Sequence, residues 1–171
     1  MILSNIQTID IFVNSSKLND LKILHLSDLH INKKTNLENV QKLVNLCNDL
    51  VFDFCVITGD IIDTKVKFIK EQLQILNTLK FKVYYISGNH DFFYGLEDLK
   101  NELSNFIFID NSCKEFIYKN ETIFLAGLPD RFSKFFGIKR EEQKIKNYLL
   151  NEPSIFISHQ PKDYKIAVDG N

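Results

Sequence analysis

The stretch Phe54-Cys55-Val56-Ile57-Thr58-Gly59-Asp60 decides the fold. Its apolar, β-branched first half reads as a strand buried on both faces, and Thr58-Gly59-Asp60 closes it with a turn that carries a carboxylate. Just upstream, Leu37, Val40, Leu43, Val44 and Leu46 have helical spacing within residues 36–50, and residues 22–27 read as an earlier strand. Downstream the pattern repeats. Phe68, Ile69, Leu73, Leu76 and Leu79 fall on one helical face, and Val83-Tyr84-Tyr85-Ile86 runs into Ser87-Gly88-Asn89. Strand, helix, strand, helix, strand is the order of a parallel α/β sheet.

Farther out, the alternation in Gln7–Val13 predicts a half-buried strand that ends in the turn Asn14-Ser15-Ser16. A short helix is expected over Leu96–Leu103. Three short strands, Phe106–Ile109, Glu115–Tyr118 and Thr122–Ala126, are spaced like an antiparallel meander and imply a second sheet or an extension of the first. A helix over Glu141–Leu150 and a buried strand, Ser154–Ser158, then deliver His159. No linker, repeat or low-complexity tract divides the chain, so residues 1–171 are expected to form one domain.

The composition is that of a globular protein, with 44% hydrophobic and 25% charged residues. Twenty-one basic residues against 22 acidic ones give a net charge of -1, which argues against coating of extended nucleic acid. No run approaches the ~20 apolar residues of a membrane span, and the N-terminus lacks a secretory pattern. The expected compartment is the cytoplasm, with peripheral association with the inner membrane left open. Cys47, Cys55 and Cys113 are odd in number and lack C-x-x-C spacing, so they read as small buried hydrophobes. Arginine occurs only at 131 and 140, which leaves few candidates for a bidentate phosphate clamp.

Ligands of open α/β sheets bind beyond the carboxyl ends of the strands. Here those ends carry Asp28-Leu29-His30, Gly59-Asp60-Ile61-Ile62-Asp63, Gly88-Asn89-His90-Asp91 and Ser158-His159. In extended chain, Asp28 and His30 would point the same way and share a cation. Gly59 permits a tight turn, and Asp60 offers a carboxylate able to bridge two cations. Each fragment alone is an ordinary turn or loop entry. Together they matter, because three of the four histidines fall at strand ends that the topology gathers. His25, within a strand, reads as structural or as part of the rim. Phe132–Phe136 reads as a loop of packing aromatics, Lys33-Lys34 as a solvated loop, and Asp91 as structural. Oxygen and nitrogen donors without thiolates suit two divalent ions such as Mn, Fe, Zn, Co or Ni.

These four motifs, in this order and spacing, resemble those of the calcineurin-like metallophosphoesterases, specifically a small bacterial branch related to membrane-associated phosphodiesterases. The resemblance implies an αββα four-layer sandwich with two metals at its rim. By motif position, Asp28 and His30 would bind the first metal, Asp60 would bridge both, and Asn89 and His159 would bind the second. It further implies hydrolysis of a phosphomonoester or phosphodiester by a hydroxide bridging two metal ions. His90 would act as general acid and Asp63 would hydrogen-bond its other nitrogen. The implied substrate is a small phosphorylated molecule, a nucleotide or a lipid-linked phosphate. Members continue to a strand ending in Gly-His-x-His, whereas this sequence ends at Val168-Asp169-Gly170-Asn171. On that comparison the last strands and two histidines are absent, and Asp169 is a poorly placed substitute. The alternative function is therefore a catalytically impaired remnant or a binding module.

Overall fold

The computed structural model describes residues 6–168. Four parallel strands form the first sheet in the order β1-β2-β3-β4: β1 Ile23–Leu26, β2 Phe54–Ile57, β3 Val83–Tyr85 and β4 Phe106–Phe108. Helices α1 (Leu37–Asp49), α2 (Lys70–Leu76), α3 (Asn89–Tyr94) and α4 (Leu96–Glu102) make the connections. The second sheet, in the order β5-β6-β7, pairs β5 (Ser112–Tyr118) antiparallel to β6 (Glu121–Leu128) and β6 parallel to β7 (Ser154–Ser158). Helix α5 (Glu142–Leu149) connects β6 to β7, and α6 (Tyr164–Val168) follows.

Period-two alternation builds the layers. In β2, Cys55 and Ile57 join the core beneath the helices, with Leu43, Val44, Leu73 and Leu99, while Phe54 and Val56 join the core between the sheets. Tyr84 and Ile86 meet Ile123, Leu125 and Ile157 in that inner core, and Ala126 and Leu128 pack outward on Ile145, Leu149 and Ile166. The result is helix, sheet, sheet, helix, the expected αββα sandwich. The β5–β6 hairpin closes through Lys119 and Asn120, both at positive φ, as a two-residue turn with the native strand twist requires.

Three expectations need correction. Gln7–Val13 forms no strand: Ile9, Ile11 and Phe12 are exposed, because β1 takes its only strand partner from β2 and none of the described strands pairs with this segment. Ile9 and Ile11 instead line a cavity of about 730 Å³ alongside β1 and β7. Phe106–Phe108 belongs to no meander, since α4 returns the chain parallel to β3 and places this strand in the first sheet. The helix expected from Phe68 is split into a 3-10 turn, Val66–Phe68, and α2; Phe68 is exposed and carries the Lys33 ammonium 3.6 Å above its ring. Cys47 and Cys55 are buried as expected, whereas Cys113 is only partly so. No described helix is long and apolar enough to cross a membrane.

Candidate metal centre

The floor of the site is a buried carboxylate. Asp91, fully enclosed, accepts the backbone N–H groups of Asp60 (2.7 Å), Ile61 (2.9 Å), Ile62 (3.3 Å) and Gly88 (2.9 Å) and the Tyr85 hydroxyl (2.5 Å). Burial pushes its carboxyl up to about 6 against the pull of those donors. The reading of Asp91 as structural holds, and its task is specific: it fastens the turn after β2 to the turn after β3. Gly59 lies at φ +94°, and a Cβ there would meet the Gly88 nitrogen at 2.5 Å. A Cβ on Gly88 would strike the Asp60 carboxylate and backbone. Both glycines are therefore dictated by close approach.

On this floor three candidate ligands stand in the left-handed region: Asp28 (φ 54°), His30 (φ 45°) and Asp60 (φ 56°). Such conformations cost about 1–3 kcal/mol each and persist only where the surroundings enforce them. Backbone bonds from Asp28 to Gly59 (3.1 Å) and from His30 to Asp60 (3.0 Å) do so here. This corrects the expectation of an extended pair. Asp28 and His30 converge because both are left-handed, with Asp28 Oδ1 3.7 Å from His30 Nε2. Ser27 donates to the other Asp28 oxygen.

Asp60 sits at the centre. Its Oδ1 accepts the His90 backbone N–H (2.9 Å), which leaves Oδ2 facing His30 Nε2 at 3.8 Å and His159 Nε2 at 3.6 Å. His159 arrives from β7 in the other sheet, and its Nδ1 donates to the Thr58 carbonyl at 2.6 Å. That bond places a proton on Nδ1, and Nε2 faces Asp60 Oδ2 and Asn89 Oδ1, the latter at 3.3 Å. Imidazole nitrogens and carboxylate or amide oxygens gathered at 3.3–3.8 Å are placed to share a proton or a metal cation. Such spacings also suit ligands sharing an ion at about 2.1 Å. Two sets, Asp28–Asp60–His159 and His30–Asp63–His90, have donor atoms within 4.8 Å of one another. The residues fit divalent metal, with Asp60 placed between the two histidine arms.

His90, the second residue of α3, stands beside this cluster. Its Nδ1 lies 2.9 Å from Asp63 Oδ1, and its ring meets that of His30 edge-on at 4.6 Å. Nε2 is thereby turned away from Asp63. Tyr94, one turn along α3, stands next to the same carboxylate, whose charge raises the phenol above its usual range. Its position four residues after His90 was a readable signal of shared placement. Asp130 caps Phe132 N (2.7 Å) and also accepts Gln160 Nε2 (2.6 Å) across 30 residues, a contact that had no such signal. His25 stays outside the cluster, 2.8 Å from the Thr58 hydroxyl, and Phe132–Phe136 lies within a 3-10 helix rather than a loop. Asp169 lies outside the described residues.

Residues 21–170 match the calcineurin-like phosphoesterase family. The chain belongs to that family. As a calcineurin-like phosphoesterase it is grouped with metal-dependent phosphoester hydrolases. An uncharacterized metallophosphoesterase of Helicobacter pylori is 28% identical over 156 residues, covering 85% of this chain and 40% of the relative. One of Campylobacter jejuni is 30% identical over 164 residues, covering 92% and 42%. The chain thus spans about two fifths of the length of these relatives. Among solved structures, Haemophilus influenzae NAD nucleotidase shares the fold, with a TM-score of 0.63 at 19% identity over 86% of this chain and 36% of that one.

Proposed function

We propose that this calcineurin-like phosphoesterase hydrolyses a phosphomonoester or phosphodiester with two divalent ions held by Asp28, His30, Asp60, Asn89 and His159, in one domain. One observation carries the reading: five oxygen and nitrogen donors from the ends of β1, β2, β3 and β7 form a continuous run of contacts at 3.3–3.8 Å that passes through Asp60. Nitrogen and oxygen donors without thiolate suit Mn, Fe, Zn, Co or Ni. Bound there, the ions would neutralise phosphoryl charge and make water nucleophilic at neutral pH.

The chain's own residues supply the rest. Asp60, pinned through Oδ1, presents a single oxygen to both halves of the site. His159, fixed by the Thr58 carbonyl, keeps its Nε2 turned inward. Asp63 orients His90, whose Nε2–H donates a proton to the departing oxygen. A positioned acid of this kind contributes about 10²–10⁴-fold.

The experiment is hydrolysis of bis(4-nitrophenyl) phosphate by protein loaded with Mn²⁺ or Zn²⁺. Turnover is expected to vanish with chelator, return on metal addition, and fall at least ~100-fold in Asp60→Asn and His90→Ala. Protein that carries metal yet turns over neither this diester nor 4-nitrophenyl phosphate would overturn the proposal.

A further inference from the structure

Resting on that reading of the site, we infer that a wall of phenylalanines beside His90 receives an apolar body carried on the leaving group, so that the preferred substrates are phosphoesters of hydrophobic alcohols. His90, Phe93 and Tyr94 stand at i, i+3 and i+4 of α3 and share one face. Phe93 then meets Phe132 and Phe136, each at 5.5 Å, and Phe132 meets Phe135 at 5.5 Å. Through Phe93, on the α3 face that carries His90, the rings form one surface, anchored from behind by the buried Phe92 stacked on Phe136.

This surface is held open. Phe93, Phe132, Phe135 and Phe136 keep 57%, 36%, 69% and 42% of their area in solvent. Contiguous exposed apolar area of this sort marks a binding surface. Collapse onto the core is prevented by the frame of the 3-10 helix Arg131–Phe136. Asp130 caps it at Phe132 N, and Arg131 is clamped through Nε and Nη2 to the fully buried Asp163.

Location names the occupant. His90 Nε2 points away from Asp63, so the oxygen it protonates, with the group attached to that oxygen, lies on the His90 side of phosphorus. In the reaction, water oxygen bonds to phosphorus, the bond from phosphorus to the leaving oxygen breaks, and the His90 proton moves to that oxygen. A proton from water restores the ring, and an alcohol is released. The rings offer no donor or acceptor to read a nucleobase edge, and their planes lie at mixed angles of 50–89° along the exposed run. Apolar bulk is what such a surface rewards.

The test compares methyl 4-nitrophenyl phosphate with its 2-octyl ring analogue, below the micelle concentration, on metal-loaded protein. The octyl ester is expected to show about tenfold higher kcat/KM, equivalent to about 1.4 kcal/mol. Phe93→Ser and Phe135→Ser, both at mostly exposed positions, should bring the ratio to within about twofold. A ratio near one in the wild type, or one unchanged in both variants, overturns the inference. If neither ester is cleaved, the phosphodiesterase reading has failed, and the wall is judged by calorimetric binding of octylphenylphosphonate against phenylphosphonate. A tenfold preference lost in the variants supports it, and equal binding refutes it. Binding to phosphatidylglycerol vesicles that requires Phe135, without discrimination between soluble probes, refutes it in favour of a membrane-facing surface.

Discussion

Replacing Asp91 with alanine removes the acceptor from four backbone N–H groups and one tyrosine hydroxyl at once. A buried donor left without a partner costs about 1–3 kcal/mol, so five give about 5 kcal/mol at the low end of the range. Some of that is offset, because the carboxylate is itself disfavoured by burial. We therefore expect Asp91→Ala to lose about 4 kcal/mol, a large share of the 5–15 kcal/mol typical of a native domain. At about 2–4 °C per kcal/mol, the melting temperature should fall by about 8–16 °C. Urea unfolding at pH 7, followed by far-UV circular dichroism, measures the loss directly. A decrease below about 1 kcal/mol with the fold intact would refute the claim that Asp91 fastens the two turns.

The same group gives a pH signature. The folded carboxyl, at about 6, holds its proton beyond the ordinary 3.8, so the stability it contributes is full below about pH 4 and lost as pH rises through about 6. Wild-type stability should decline in that window relative to Asp91→Asn, and parallel urea midpoints from pH 3.5 to 7 would contradict this. Gly88→Ala drives a methyl into the Asp60 carboxylate and backbone, so metal uptake measured by calorimetry should drop at least ~10-fold. Asp163→Asn leaves Arg131 and Arg140 facing a neutral buried partner, and thermal denaturation should report a loss of about 3 kcal/mol or more. Among the thiols, burial pushes Cys47 up to about 11 and Cys55 higher still. Alkylation at pH 8 should label Cys113 first and reach the other two only in denaturant, as peptide mass mapping would show.

The fold was legible where burial imposes a period. β2 is apolar throughout because one face meets helices and the other a second sheet, and a run of that kind has few other uses. Gln7–Val13 has the alternation of a strand but no hydrogen-bonding partner among the described strands, and pairing is a property of two segments, not one. The sheet that Phe106–Phe108 joins depends on the direction in which α4 returns the chain, which spacing does not encode. At the site, Asp60 and Gly59 were readable from their turn. The left-handed backbone of Asp28 and His30 was not: both residue types enter that region more readily than most, but it is the bonds to the turn after β2 that hold them there. His159 reaches Thr58 across 101 positions and Asp63 reaches His90 across 27, contacts that only packing of whole layers creates. The motif resemblance grouped these residues before geometry could.

The most direct test of the central claim is the anomalous difference map of crystals loaded with Mn²⁺. Two peaks that share the Asp60 carboxylate are expected, one toward Asp28 and His30 and the other toward Asn89 and His159. A map with no peak at Asp60, in protein shown to carry manganese, would contradict it.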